Sequence, residues 1–137
     1  MSTRSDKAME NHGLGMNCSQ SVACAFCDRL DIDEALMRKL MEGFGLGMGC
    51  MEGTCGALSG AVAAASLRLS ETLPASPTHK QQVYAVVRRI MEAFQAKNGS
   101  VLCKDLKGVA TGKPLRSCDG CIADAVEILE QTVFAAE

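Results

Sequence analysis

The sequence predicts an all-α fold: one domain over residues 1–137, a single helical bundle of six or seven helices with a glycine-rich loop before the Cys55 helix. Three observations carry this. No alternating strand pattern runs beyond about four residues. Several segments place apolar residues at helical spacing, and helix-start residues recur along the chain. A chain of 137 residues, 47% hydrophobic and 22% charged, is long enough to bury a core without cross-links.

Ser2 to Asn11 reads as a short first helix stopped by Gly13 and Gly15. Asn17 followed by Gln20 resembles a capping box, and Val22, Phe26 and Leu30 then mark one face of a second helix. Asp33 caps a third, with Leu36, Leu40 and Met41 inward, ending at Gly43. The alternation Gly43-Phe-Gly-Leu-Gly-Met-Gly49 would cost about 1 kcal/mol per glycine as a helix; it reads as a loop that brings its backbone close to something. From Thr54 a fourth helix runs to about Leu69, with Cys55, Leu58, Val62 and Leu69 on one side. Gly56, Gly60 and Ala64 form a narrow face on which a neighbouring helix can approach, within the chain or across a homodimer.

Pro74 and Pro77 separate that helix from one over about Thr78 to Lys97, with Val83, Val87, Ile90 and Phe94 inward. Asn98-Gly99 closes it. Ser100 opens a short turn of helix through Leu106, and Gly108 to Arg116 is loop. Ser117 caps a final helix with Ile122, Val126, Leu129 and Val133 inward.

Fourteen basic and sixteen acidic residues give a net charge of −2, with no basic stripe and a single tyrosine, so a nucleic-acid partner is not expected. Met1 to Glu10 is polar and carries two acids, unlike a secretory signal. The most apolar run, Ala57 to Leu67, falls short of the ~20 residues that span a bilayer, so no membrane insertion is expected. The expectation is a cytoplasmic protein, where a cysteine-rich chain is metal-binding or redox-active more often than statically cross-linked.

Eight cysteines stand beside only two histidines. Asn17-Cys18, Thr54-Cys55 and Ser117-Cys118 put sulfur at a first helical position, and Ser100 puts Cys103 at the third. Orphan N–H groups and the helix dipole favour a thiolate there. Thiolates attack disulfides and bind metals. Cys118-Asp-Gly-Cys121 adds a second sulfur at the spacing shared by redox motifs and metal knuckles.

Cys24 and Cys27, beside Phe26 and without an activating cap, read as small core hydrophobes ahead of a redox pair. Cys50 is left undecided. No strand precedes the glycine run, which excludes a dinucleotide loop. Asp28 and Ile122 stand where a c-type haem motif needs histidine. His12 and His79 read as solvated, and Met16, Met48 and Met51 as packing residues rather than soft copper ligands.

Cys55-Gly-Ala-Leu-Ser-Gly60 resembles the Cys-Gly-Ala-x-x-Gly signature of the redox-active family C-GCAxxG-C-C. Asn17-Cys18-Ser-Gln-Ser-Val22 resembles its opening motif, and Gly43-Phe-Gly through Glu52-Gly-Thr-Cys55 its glycine-rich approach. Cys103-Lys-Asp-Leu106, and Cys118 leading into Ala123-Asp-Ala-Val-Glu-Ile-Leu129, resemble its two later cysteine positions. The resemblance spans about Gly15 to Glu130 and implies a small bacterial or archaeal protein whose family cysteines fall on Cys18, Cys55, Cys103 and Cys118. That family also resembles part of the split-Soret cytochromes. This chain lacks their haem-attachment motifs, so only an iron–sulfur centre is implied from that side.

Two functions follow as expectations. One is thiol–disulfide exchange, with Cys55 attacking, Cys18, Cys103 or Cys118 resolving, and Gly56, Ala57 and Gly60 letting helices close in; the partner is a redox protein or a small thiol or disulfide, and no cofactor is required. The alternative is an iron–sulfur cluster or zinc held by Cys18, Cys55, Cys103 and Cys118 for electron transfer or sensing. A scaffold whose cysteines only pack or cross-link is the third reading.

Overall fold

The computed structural model describes residues 3–135. Seven α-helices carry it: α1 Thr3–Gly13, α2 Cys18–Cys24, α3 Glu34–Met41, α4 Gly56–Thr72, α5 His79–Asn98, α6 Cys103–Lys107 and α7 Cys118–Thr132. Two 3-10 turns, Cys27–Arg29 and Glu42–Phe44, join them, and no strand forms among the described residues. The expected all-α bundle is what the chain adopts. The Ser2 start expected for the first helix lies outside the described residues.

Helix α2 is the centre of the bundle. Its most extensive contact is with α4, and it also packs on α1 and α3. The reason is the small-residue face of α4: a Cβ on Gly60 would collide with the Ser19 carbonyl. That face is therefore filled from within the chain. The polar residues of α2 are buried yet satisfied, as buried polar groups must be. Asn17 and Gln20 form the expected capping box, each side chain accepting from the other's backbone N–H. Ser19 Oγ donates to Met41 O at 2.6 Å and Gln20 Nε2 to Arg38 O at 2.8 Å, which anchors the end of α3.

Two boundaries and one buried face differ from expectation. The α2 helix stops at Cys24, because the chain turns through Ala25 and Phe26 into a 3-10 segment. On α3 the inward residues are Met37 and Met41, whereas Leu36 and Leu40 are exposed. Asp33 caps that helix as expected, but the phase of the buried stripe is set by what α2 offers. Helix α4 starts at Gly56, so Cys55 itself is its N-cap residue rather than Thr54.

The glycine-rich segment is a loop with backbone in the left-handed region at Leu46, Gly47, Met48, Gly49 and Met51. It closes on itself through Gly49 N to Gly45 O, Met51 N to Leu46 O and Gly53 N to Gly47 O. At Gly47 both demands meet: φ is +59°, and a Cβ would collide with Cys103 Cβ. The core behind the loop is built on Phe26, Leu58, Ile90, Phe94, Ile122 and Leu129, all fully enclosed.

Candidate functional site

Backbone junctions bring distant sulfurs to one place. The segments leading to Cys55 and Cys103 pair through an antiparallel bridge between Thr54 and Leu102. Cys55 N donates to Val101 O at 2.8 Å, Cys103 N to Gly53 O at 3.1 Å and Lys104 N to Met51 O at 3.0 Å. These bonds hold the starts of α4 and α6 side by side. Leu115 N and Arg116 N both donate to Leu106 O, which ties the approach to Cys118 onto α6. Cys18 arrives by close packing: a Cβ on Gly56 would collide with its sulfur.

The sulfurs of Cys18, Cys55, Cys103, Cys118 and Cys121 all line one cavity of about 180 Å³. Leu46 and Leu106 give it apolar walls, Lys107 and Arg116 bring charge to it, and His12 adds an imidazole. Ala57 and Gly60 lie buried on α4 beyond the cavity. All eight cysteines are free thiols. Cys24 and Cys27 lie at the far end of α2, and Cys50 is exposed near the glycine loop.

Helix starts do not treat these sulfurs alike. Cys55 is only 6% exposed, yet its thiol is lowered from an ordinary 9.0 to about 7. The largest cause is a hydrogen bond from Cys121, which outweighs burial; the N–H groups of Ala57 and Leu58 and the charge of Lys107 add to it. Cys121, 3% exposed, is pushed up because it gives the proton in that hydrogen bond and is buried. For Cys18 and Cys103, burial wins over the favourable N–H groups and charges and raises both thiols. A helix N-terminus alone therefore does not make a thiolate here. Cys103 has Leu102 as its N-cap rather than Ser100, whose hydroxyl instead donates to Asp105.

Charged side chains complete the site. Lys107 Nζ lies 3.5 Å from Cys118 Sγ, and this sulfur is the main reason its ammonium is stabilised. His12, expected to be solvated, lies 2.8 Å from Asp119 and faces the cavity. Arg116 reaches back over the first turn of α7 to the carboxylate of Asp124, at 3.0 and 3.2 Å. That carboxylate is 2% exposed and also takes Lys97 at 2.7 Å and Asn98 at 3.2 Å. The guanidinium crosses Gly120, where any Cβ would strike it. The middle of Cys118-Asp-Gly-Cys121 is therefore a groove for Arg116.

His12, Lys107 and Arg116 were missed from the sequence because each reaches the cavity through tertiary packing. Cys121 stands outside the four positions that the family resemblance marks, yet it has the largest effect on the Cys55 thiol. Among the described residues, no three His, Cys, Asp or Glu side chains are grouped to hold one metal ion. No helix of the described residues is long and apolar enough to cross a membrane.

A family model described as "Putative redox-active protein (C_GCAxxG_C_C)" matches residues 16–132. No curated protein and no solved structure matches the chain. The matched span holds all five cavity sulfurs and nearly the whole bundle, and the chain belongs to the C_GCAxxG_C_C family of redox-active proteins.

Proposed function

We propose that this protein is a thiol–disulfide oxidoreductase in which Cys55 attacks and Cys121 resolves. The observation that carries the reading is that Cys55 and Cys121 line one cavity from two helices packed on each other; their interaction lowers the Cys55 thiol to about 7 and raises that of Cys121. The resolving sulfur is thus Cys121, in place of the Cys18, Cys103 or Cys118 expected from the sequence.

The steps balance as follows. The Cys55 thiolate attacks one sulfur of a substrate disulfide, breaks the S–S bond and expels the first substrate thiolate. Cys121 then gives up its proton and attacks the Cys55 sulfur, expelling the second. Two electrons pass to the substrate, whose two thiolates take up the Cys121 proton and one from solvent, and the protein keeps a Cys55–Cys121 disulfide. Lys107 beside the cavity stabilises thiolate charge throughout. The partner is a small disulfide or a cystine of another protein, and a reducing compartment such as the cytoplasm suits the return step.

The test is site-resolved. Reduced protein is treated with oxidised dithiothreitol, its remaining thiols are blocked, and its peptides are mapped by mass spectrometry. A Cys55–Cys121 cross-link is expected. A link from Cys55 to Cys18, Cys103 or Cys118, or anaerobically purified protein that is brown with bound iron and sulfide, overturns the assignment.

A further inference from the structure

Helix α2 carries sulfur at both ends. Cys18 opens it inside the cavity described above, and Cys24 closes it roughly 9 Å further along the axis. There Cys24 Sγ lies 4.0 Å from Glu34 O and Cys27 Sγ 3.8 Å from Ala23 O, and the two cysteines line a different cavity of about 630 Å³. Both pack on the hydrophobic core and at the same time border this volume. Cys24 is 3% exposed and forms part of the cavity wall, while Cys27 is half-buried.

The turn that joins them is clamped from outside. Arg4 Nη1 donates to Ala25 O at 2.7 Å, and the guanidinium also grips the Asp28 carboxylate through both its terminal nitrogens. The same guanidinium lies over the Phe26 ring, 5.3 Å from its centroid, and Phe26 stacks on Phe134 at 4.8 Å. Every residue from Ala25 to Asp28 except Cys27 is thereby fixed by a side chain or by the backbone. The clamp fixes the turn that separates the two cysteines by three residues, the spacing of thiol–disulfide motifs.

We propose that Cys24 and Cys27 form a second dithiol site, separate from the Cys55 cavity, that exchanges with a low-molecular-weight disulfide of glutathione size. The proposal does not rest on the assignment of Cys55 and Cys121. The hydrogen bond from Cys27, with the charges of Arg38 and Lys7 adding to it, favours the Cys24 thiolate over the opposing effects of burial and Glu34. Cys27, as proton donor and partly buried, is held as the thiol. Lys7 on the exposed rim offers a cation to the carboxylates of such a disulfide, and Ile32 an apolar wall. Cys24 attacks and forms a mixed disulfide, releasing one small thiolate. Cys27 then loses its proton and attacks Cys24 Sγ, releasing the second small thiolate and closing a Cys24–Cys27 disulfide. One disulfide is reduced and one dithiol oxidised, with two electrons transferred.

The test uses the full chain and oxidised glutathione. After incubation at neutral pH, free thiols are alkylated and the peptide spanning Cys24 and Cys27 is fragmented. The expected result is loss of both alkylation sites, no backbone cleavage observed between the two cysteines, and recovery of both sites with dithiothreitol. Cys27→Ser should instead hold a glutathionyl group on Cys24. Two outcomes overturn the proposal: Cys24 and Cys27 both alkylated when exposed Cys50 already carries glutathione, or either one linked to another cysteine. Because Cys55 and Cys121 are read in the same map, failure at one pair is distinguished from failure at the other.

Discussion

Cys55 and Cys121 line one cavity from the starts of two helices remote in sequence, and each is the largest cause of the other's altered thiol. Cys55 stands one residue before its helix, whereas Cys121 is the fourth residue of its own and buried. The two helices pack directly on each other. This pair is where the reactivity of the site is decided.

Alkylation of Cys55 should therefore follow a titration with a midpoint of about 7. Below that pH the thiol is protonated and the rate should fall about tenfold per pH unit; above pH 8 it should level off. Cys121→Ala removes the donor and should move the midpoint upward. An unchanged midpoint in Cys121→Ala would show that Cys121 does not set the Cys55 thiol. Stopped-flow alkylation across pH 5 to 10, with Cys55 read by mass spectrometry, measures both.

Lys107→Met should raise the same midpoint by a smaller amount, since its charge is the weakest of the causes that lower the Cys55 thiol. Lys107 is partly exposed, so added salt should shrink the wild-type shift and leave the variant nearly indifferent. A salt series on the two proteins checks the direction.

Gly56→Ala should destabilise the reduced protein by roughly 1–3 kcal/mol, the usual cost of overpacking. The new methyl would meet the Cys18 sulfur, the Phe44 carbonyl at 3.0 Å and the Gly45 Cα at 3.2 Å, two of them backbone. A second substitution, Cys18→Ala, removes the sulfur clash alone and should recover only part of the loss. Urea denaturation of the three proteins gives the numbers.

Asp124→Asn should cost on the order of 1–3 kcal/mol, by weakening a charge-assisted cluster around a buried acceptor. Burial raises this carboxyl, but hydrogen bonds from Lys97, Arg116 and Asn98 prevail and hold it below the ordinary 3.8. The sign follows: its stabilisation is complete above pH 3.8 and is lost as pH falls through the lower folded value. The variant should thus lose stability at neutral pH and show a shallower acid transition than wild type.

Much of this was legible in the residues. Asn17, Asp33 and Ser117 announce three helix starts by side chains that do accept the expected backbone N–H bonds. The glycine run and the Gly56–Gly60 face do mark close approaches of backbone to backbone or sulfur. The inward face of α3 was not legible, because Leu36 and Met37 are equally apolar and only the neighbouring helix chooses between them. Nor was the dominance of burial over the helix start at Cys18 and Cys103, since sequence gives position along a helix but not the dielectric around it. The Cys55–Cys121 bond and the reach of His12, Lys107 and Arg116 depend on how loops return, which no local pattern encodes.

The bridge between Thr54 and Leu102 has a temporal consequence. During synthesis, a nascent chain that has emerged through α4 and α5 still lacks Cys103, the Lys107 charge and the Cys121 donor. Its Cys55 would behave as an ordinary, weakly nucleophilic thiol until the final helix docks. Reactivity is thus withheld from the unfinished polypeptide and switched on by completion of the bundle. Fast alkylation of Cys55 at neutral pH can consequently serve as a clock for the last docking event during refolding.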